Sequence, residues 1–214
     1  MAHDNAASVG GFAIRLTRLD ASGNLVTGPS ASYVTKKFVS LGYTPEYEDG
    51  EEFTTKAADG TVCASWKTAS TLKRVTISIA LCDPDPEFSE MIAGGSLLTQ
   101  GGKSIGWKMP LVGVDATPNG VAIEVWSQAI SGGRATGTNP YWHFVFPYAQ
   151  MQYTGERAIQ NDMMATSFEG WAVGNPGFGD GPAAPVWPFA SDAPAQMART
   201  ATLPVGTGYQ TVAP

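Results

Sequence analysis

Apolar and polar positions alternate along much of the chain with the period of a β-strand. In Val75-Thr76-Ile77-Ser78-Ile79-Ala80-Leu81 an aliphatic residue takes every second position. An extended segment there has one apolar face and one small or polar face. Phe12-Ala13-Ile14-Arg15-Leu16 is a shorter case, closed by the turn cluster Asp20-Ala21-Ser22-Gly23-Asn24. Segment 33–41, with Tyr33, Phe38, Val39 and Leu41, reads as a second strand containing Lys36 and Lys37. Segments 53–56 and 62–66 flank Ala58-Asp59-Gly60, and Asp-Gly between two strand-like runs signals a hairpin. Further strands are expected at 105–114, kinked or at an edge because of Pro110, and at 121–126 after Pro118-Asn119-Gly120. The aromatic run at 141–147 and segment 163–173 complete the set.

One helix is expected at about 86–93. Asp85 suits the N-cap, Pro86 the first helical position, and Glu87 the positive end of the helix dipole. Phe88, Met91 and Ile92 fall at i, i+3 and i+4, one face that would cover a sheet, and Gly94-Gly95 stops the helix. The chain is therefore mainly β, divided into a flexible arm at 1–10, a domain at 11–173 and a Gly/Pro-rich C-terminal extension at 174–214. The extension holds seven of the fifteen prolines and either docks on something or stays mobile.

Composition sharpens this picture. With 25 glycines and 15 prolines the chain favours turns. Charged residues make up only 15%, against roughly 25% in a typical soluble domain. Such a chain either exposes neutral polar surface or buries surface against copies of itself. The net charge of −6 argues against a nucleic-acid binder, although a conduit for DNA should repel it weakly. Cys63 and Cys82 form neither a disulfide framework nor a metal spacing. They read as two small buried hydrophobes, with a single bridge left open. The N-terminus has no signal-peptide pattern and no stretch is apolar enough to span a membrane, so residence in the cytoplasm is expected.

Catalytic patterns are missing. His3 sits in the expected arm, and His143 lies in an aromatic strand with no acid or cysteine nearby, as a core or interface imidazole would. No nucleophile–base signature occurs. Gly101-Gly102-Lys103-Ser104 lacks the first glycine of a phosphate loop, since position 97 is Leu97. No catalytic, cofactor or metal residue is assigned. Asp83-Pro84-Asp85-Pro86 is explained by helix entry rather than by metal binding. The acidic run containing Glu46, Glu48, Asp49, Glu51 and Glu52 is either a solvated loop or a surface with a specific task.

The order of motifs resembles the major tail proteins of long-tailed actinobacterial phages. Arg18-Leu19-Asp20 with Gly23-Asn24 comes first, then Phe38-Val39-Ser40-Leu41 leading to Thr44-Pro45-Glu46-Tyr47-Glu48-Asp49-Gly50. Leu81-Cys82-Asp83-Pro84-Asp85-Pro86-Glu87 through Gly94-Gly95 is similar to that family's segment before and through its helix. Trp142-His143-Phe144-Val145-Phe146-Pro147 resembles a recurring W-x-x-V-F-P pattern, followed here by Tyr148 where the family tends to carry a basic residue. Phe168-Glu169-Gly170, Asn175-Pro176 and Gly179-Asp180-Gly181-Pro182 resemble the closing motif.

The resemblance implies a tail-tube fold, a β-sandwich or barrel-like domain with one flanking helix. It implies six-membered rings stacked into a tube around a tape-measure protein, with terminator and tip proteins at the ends. The tube would belong to the virion, be assembled in the host bacterial cytoplasm and pass DNA at ejection. Under this reading the acids of 46–52 are candidate lumen or inter-subunit residues, with Glu124 an outside candidate for the lumen. Two rivals remain at this point. One is a carbohydrate-binding β-sandwich using Trp107, Trp126, Trp142, Trp171 and Trp187 as stacking platforms. The other is a decoration or tail-terminator protein that closes rings without elongating.

Overall fold

Alternating segments become a sheet where their ladders can pair, and the described residues form fourteen strands and one α-helix. The computed structural model describes residues 5–115, 117, 119–155, 166–182, 189 and 192–213; His3 and Trp187 lie outside them. The first half comprises β1 (Ala7–Arg18), β2 (Gly28–Thr35), β3 (Phe38–Glu48), β4 (Glu52–Lys56), β5 (Val62–Lys67) and β6 (Thr71–Leu81). Helix α1 (Pro86–Ala93) follows, then β7 (Ser96–Gln100), β8 (Lys103–Lys108), β9 (Val121–Ser131) and the two-residue β10 (Arg134–Ala135). Last come β11 (Tyr141–Thr154), β12 (Thr166–Val173), a 3-10 turn (Pro176–Phe178), β13 (Gln196–Thr200) and β14 (Gly208–Val212).

The main sheet is antiparallel, in the order β14-β2-β1-β9-β11-β12-β6-β3, with β10 joining β9 and β13 joining β11. β11 belongs to two parts of it. Its first half, through Val145, pairs with β9 on one edge and β13 on the other; its second half, from Tyr148, pairs with β12. Between the halves the β9 register slips between Phe146 and Ala149, around Pro147. Proline has no N–H for a ladder, so a bulge is where a central strand tolerates it, and a bulge bends the strand. The bend lets β1 and β9 face β6 and β12. Ile14, Leu16, Ile123 and Val125 share one buried cluster with Ile77, Ile79, Leu81 and Phe168. The result is mainly β and sandwich- or barrel-like, with one short helix, as the sequence predicts.

β6 bears out its pattern, with Val75, Ile77, Ile79 and Leu81 buried and Thr76 and Ser78 exposed. It pairs with β12, where Gly170 lies opposite Ile77 on one side and Met151 of β11 on the other. A Cβ at Gly170 would collide with the Gln150 carbonyl, so the close approach of β11 and β12 requires glycine.

Helix α1 spans the expected residues. The Asp85 carboxylate accepts from the Phe88 N–H at 3.0 Å, and its other oxygen accepts from the Tyr33 hydroxyl at 2.7 Å. Burial first, and the Asp85 bond second, push the Tyr33 phenol's pKa up and keep it a donor. Glu90 accepts from Arg18 at 2.6 Å and Glu87 from Ser104 at 2.8 Å, so the helix is tied to β1 and β8 as well. Phe88, Met91 and Ile92 are buried, and the Phe88 ring meets those of Tyr33 and Phe168.

Several expectations change. Lys36 and Lys37 do not lie within one strand; they form the turn between β2 and β3, with the Lys37 N–H bonded to the Thr35 hydroxyl. The flexible arm expected at 1–10 is not free at its far end: Ala7, Ser8 and Val9 pair with Ile130, Ala129 and Gln128 of β9, while residues 1–4 lie outside the described residues. The C-terminal extension adds β13 and β14 to the main sheet, so its described parts dock on the chain's own strands. Segment 105–114 is not one strand: β8 ends at Lys108, before Pro110, and forms a hairpin with β7 across Gly101-Gly102. Both cysteines are free, and neither is a buried hydrophobe. Cys63 is exposed on β5, which has no core to face, and Cys82 is half-buried.

Phe88→Ala removes a fully buried ring between two aromatic neighbours. It should lower stability by about 3–5 kcal/mol, seen as a lower denaturant midpoint with little change in slope.

Candidate assembly surface

Two hairpins stand outside the main sheet. Among the described residues β4 and β5 pair only with each other, as do β7 and β8. The first grows from the far end of the β3–β6 ladder and turns at Asp59-Gly60, where the Asp59 carboxylate accepts from the Thr61 N–H and hydroxyl. Every residue of β4 and β5 is exposed. Phe53 and Trp66 face each other across that ladder with stacked rings 6.0 Å apart, and Trp66 is 62% exposed. On β7, β8 and the loop beyond, Leu98, Ile105, Met109, Leu111 and Val112 are also exposed. Large apolar side chains grouped on projections mark surfaces of interaction.

The acidic run sits at the root of the first hairpin. Glu46 is set apart from the others by Arg74, whose Nε lies 2.5 Å from its carboxylate; that bond holds the Glu46 pKa below its ordinary value. Glu48, Asp49, Glu51 and Glu52 are exposed, with Asp49 accepting from Ser70 and Glu52 facing Lys67. The structure thus gathers four of the five candidate acids into one solvated patch.

Glu124 is elsewhere, and the lumenal expectation for it is overturned. The β1–β9 register sets Arg15 opposite Glu124. Arg15 forms a two-pronged bond, Nε to Oε2 at 2.6 Å and Nη2 to Oε1 at 2.7 Å, and His143 Nε2 lies 3.0 Å from Oε1. The His143 ring stacks on Trp126 at 4.3 Å, and the Arg15 guanidinium lies over the same indole at 5.2 Å. All four residues are buried. Burial alone would raise the Glu124 pKa, but the Arg15 charge, with hydrogen bonds from His143 and Arg15, holds it down at about 2. The carboxylate can only accept, so His143 Nε2 carries a proton in this pair. His143 is thus a core imidazole, 5% exposed.

The tryptophans divide differently from the sugar-binding expectation. Trp126 is buried, and Trp107, Trp142 and Trp171 are half-buried. Trp107 Nε1 donates to the Gly94 carbonyl at 2.8 Å and Trp142 Nε1 to the Ala6 carbonyl at 3.2 Å. Among the described residues the exposed indole is Trp66, which sequence reasoning left out of its candidates. Its signal was its place beside an Asp-Gly turn with no apolar alternation around it.

A scan against protein-family profiles finds no match, and a search of curated proteins finds no similar chain.

Glu124→Gln should cost about 3–5 kcal/mol, because it leaves the Arg15 charge buried without its counterion. The folded-state pKa of Glu124 lies below its ordinary 4.5, so its contribution is complete above pH 4.5 and fades as pH falls toward 2. Between those limits the native chain should lose roughly 3 kcal/mol more than the Gln variant. Equilibrium unfolding across that pH range, on both proteins, measures the difference.

Proposed function

We propose that this chain is a structural subunit that joins copies of itself into rings stacked as a phage tail tube, through which genomic DNA leaves the virion. The observation that carries this reading is the set of apolar side chains on the two off-sheet hairpins, above all Phe53 with Trp66. These residues add nothing to the chain's own core, and an isolated two-stranded hairpin is marginal in water. They make physical sense when a neighbour covers them.

The edge of the main sheet supports the same reading. β3 is eleven residues long and, among the described residues, pairs only with β6, leaving its other edge without a strand partner there. Val39, Tyr43 and Tyr47 stand exposed along it, and Pro45 interrupts its donors. Closing such edges between copies around a common axis satisfies them and removes an aggregation hazard. The sparse charge lowers the desolvation cost of broad contacts. Each copy also brings a net charge of −6, which keeps a passing polyanion from adhering. The motif order, which resembles that of actinobacterial phage tail proteins, supports reading this assembly as a tail tube, with a tape-measure protein inside and terminator and tip proteins at its ends.

Negative-stain microscopy of the purified protein at rising concentration tests the proposal. Hollow tubes of uniform width are expected. A chain that stays monomeric at high concentration overturns it, and closed rings that never elongate favour a terminator or decoration role.

A further inference from the structure

We propose that the β4–β5 hairpin of one copy docks on the β7–β8 hairpin and the 109–115 loop of the next, in a head-to-tail contact. This rests on the self-assembly reading and names the two surfaces that meet.

Position comes first. The β4–β5 hairpin leaves the Thr71 end of β6, whereas α1 and then β7–β8 follow its Leu81 end. β8 stays near that end: Ser104 bonds Glu87 of α1, and the Trp107 ring lies 5.6 Å from that of Tyr153. Tyr153 pairs with Phe168, which pairs with Ile79. The eleven residues of β6 span roughly 33 Å at about 3.3 Å per residue. An arm projecting from one end therefore reaches the other hairpin on a second copy rather than on its own. The two surfaces differ, so the contact repeats from copy to copy without using itself up.

Charge and polarity match across the proposed contact. The arm presents the Phe53–Trp66 stack beside an acidic root. Glu48 faces Thr71, Asp49 accepts from Ser70, and the Glu51 carbonyl accepts from the Thr68 N–H, so among the described residues no base is the direct strand or turn partner of these three acids. The receiving surface presents exposed Leu98, Ile105, Met109 and Leu111 with exposed Lys103 and Lys108; its one acid is Asp115, at the far end of the loop, where it accepts from the Thr117 N–H. A second copy supplies both halves at once: aromatic stack on aliphatic surface, and carboxylates toward ammonium groups. The arm's acids thereby line a contact between copies rather than the lumen.

Reciprocal charge reversal tests this. One variant carries Glu48→Lys, Asp49→Lys and Glu51→Lys; the other carries Lys103→Glu and Lys108→Glu. All five positions are exposed, so both variants should melt as the native chain does, and circular dichroism checks that. Each variant alone should lose at least tenfold in sedimentable polymer near physiological salt. An equimolar mixture should recover it, because reversed arms then meet reversed receivers while native arms meet native receivers. Native polymer with unimpaired single variants, or with a mixture that does not recover, overturns the pairing and leaves self-assembly standing. Normal tubes from the arm variant with slowed DNA ejection would return those acids to the lumen. A native chain that never polymerises removes both the pairing and the reading beneath it.

Discussion

Pro147 has no N–H to give to a ladder, and the architecture depends on where that gap falls. It lies in the middle of the longest strand, where the β9 register slips and the other edge of β11 passes from β13 to β12. A straight β11 would hold its neighbours in one open sheet, with the apolar faces of β1 and β6 in water. The bulge turns the strand, and the two parts close on Phe146, Phe168 and Phe88. The Pro147 carbonyl is used as well, accepting from the Asn175 side chain, which also donates to the Gly23 carbonyl. The bend is thus joined to the β1–β2 turn and to the start of the C-terminal segment.

That segment gives the sheet a second buried face. Ala122 and Val145 point away from the main core and pack with Leu19 and Phe178. Arg15, Glu124 and His143 share the sheet's covered side and would be ordinary surface charges without a cover. Once covered they must pair, because an isolated buried charge costs several kcal/mol. The two-pronged geometry and the Trp126 ring beneath it satisfy Arg15 from two directions. A slip of one residue between β1 and β9 would set Arg15 against an aliphatic side chain. The pair therefore acts as a register mark on the strands that carry the bend.

Elements whose signals are local were legible in the sequence. Cap, proline, apolar spacing and terminating glycine all lie within about ten residues at α1, and strict alternation marks β6. The turn at Lys36 and Lys37 was hidden because a lysine pair inside an apolar run also describes the wet face of a strand. β7 was hidden because Ser96–Gln100 meets no core and shows no alternation. β13 and β14 depend on partners more than fifty residues away, which local pattern does not carry. Glu124 misled for a related reason. Its strand is buried on both faces, and its counterion lies 109 positions earlier. One sign was available: a lone acid within Val121–Trp126 and a lone base within Ala13–Leu16, each enclosed by apolar residues, imply one another.

The candidate surface was half legible for the same reason. Counting carboxylates found the acidic patch, since charge is written in the sequence. Its meaning depends on the exposed aromatics beside it, and exposure follows from what the rest of the chain leaves uncovered. A monomer stable by itself has no use for a long hairpin with stacked rings in water, which exposes apolar area and orders backbone without a core in return. Selection for a lone chain would shorten such a projection or make it polar. Under the proposed assembly, one such projection at each end of β6, with opposite charge and similar apolar character, is what a neighbouring copy would cover.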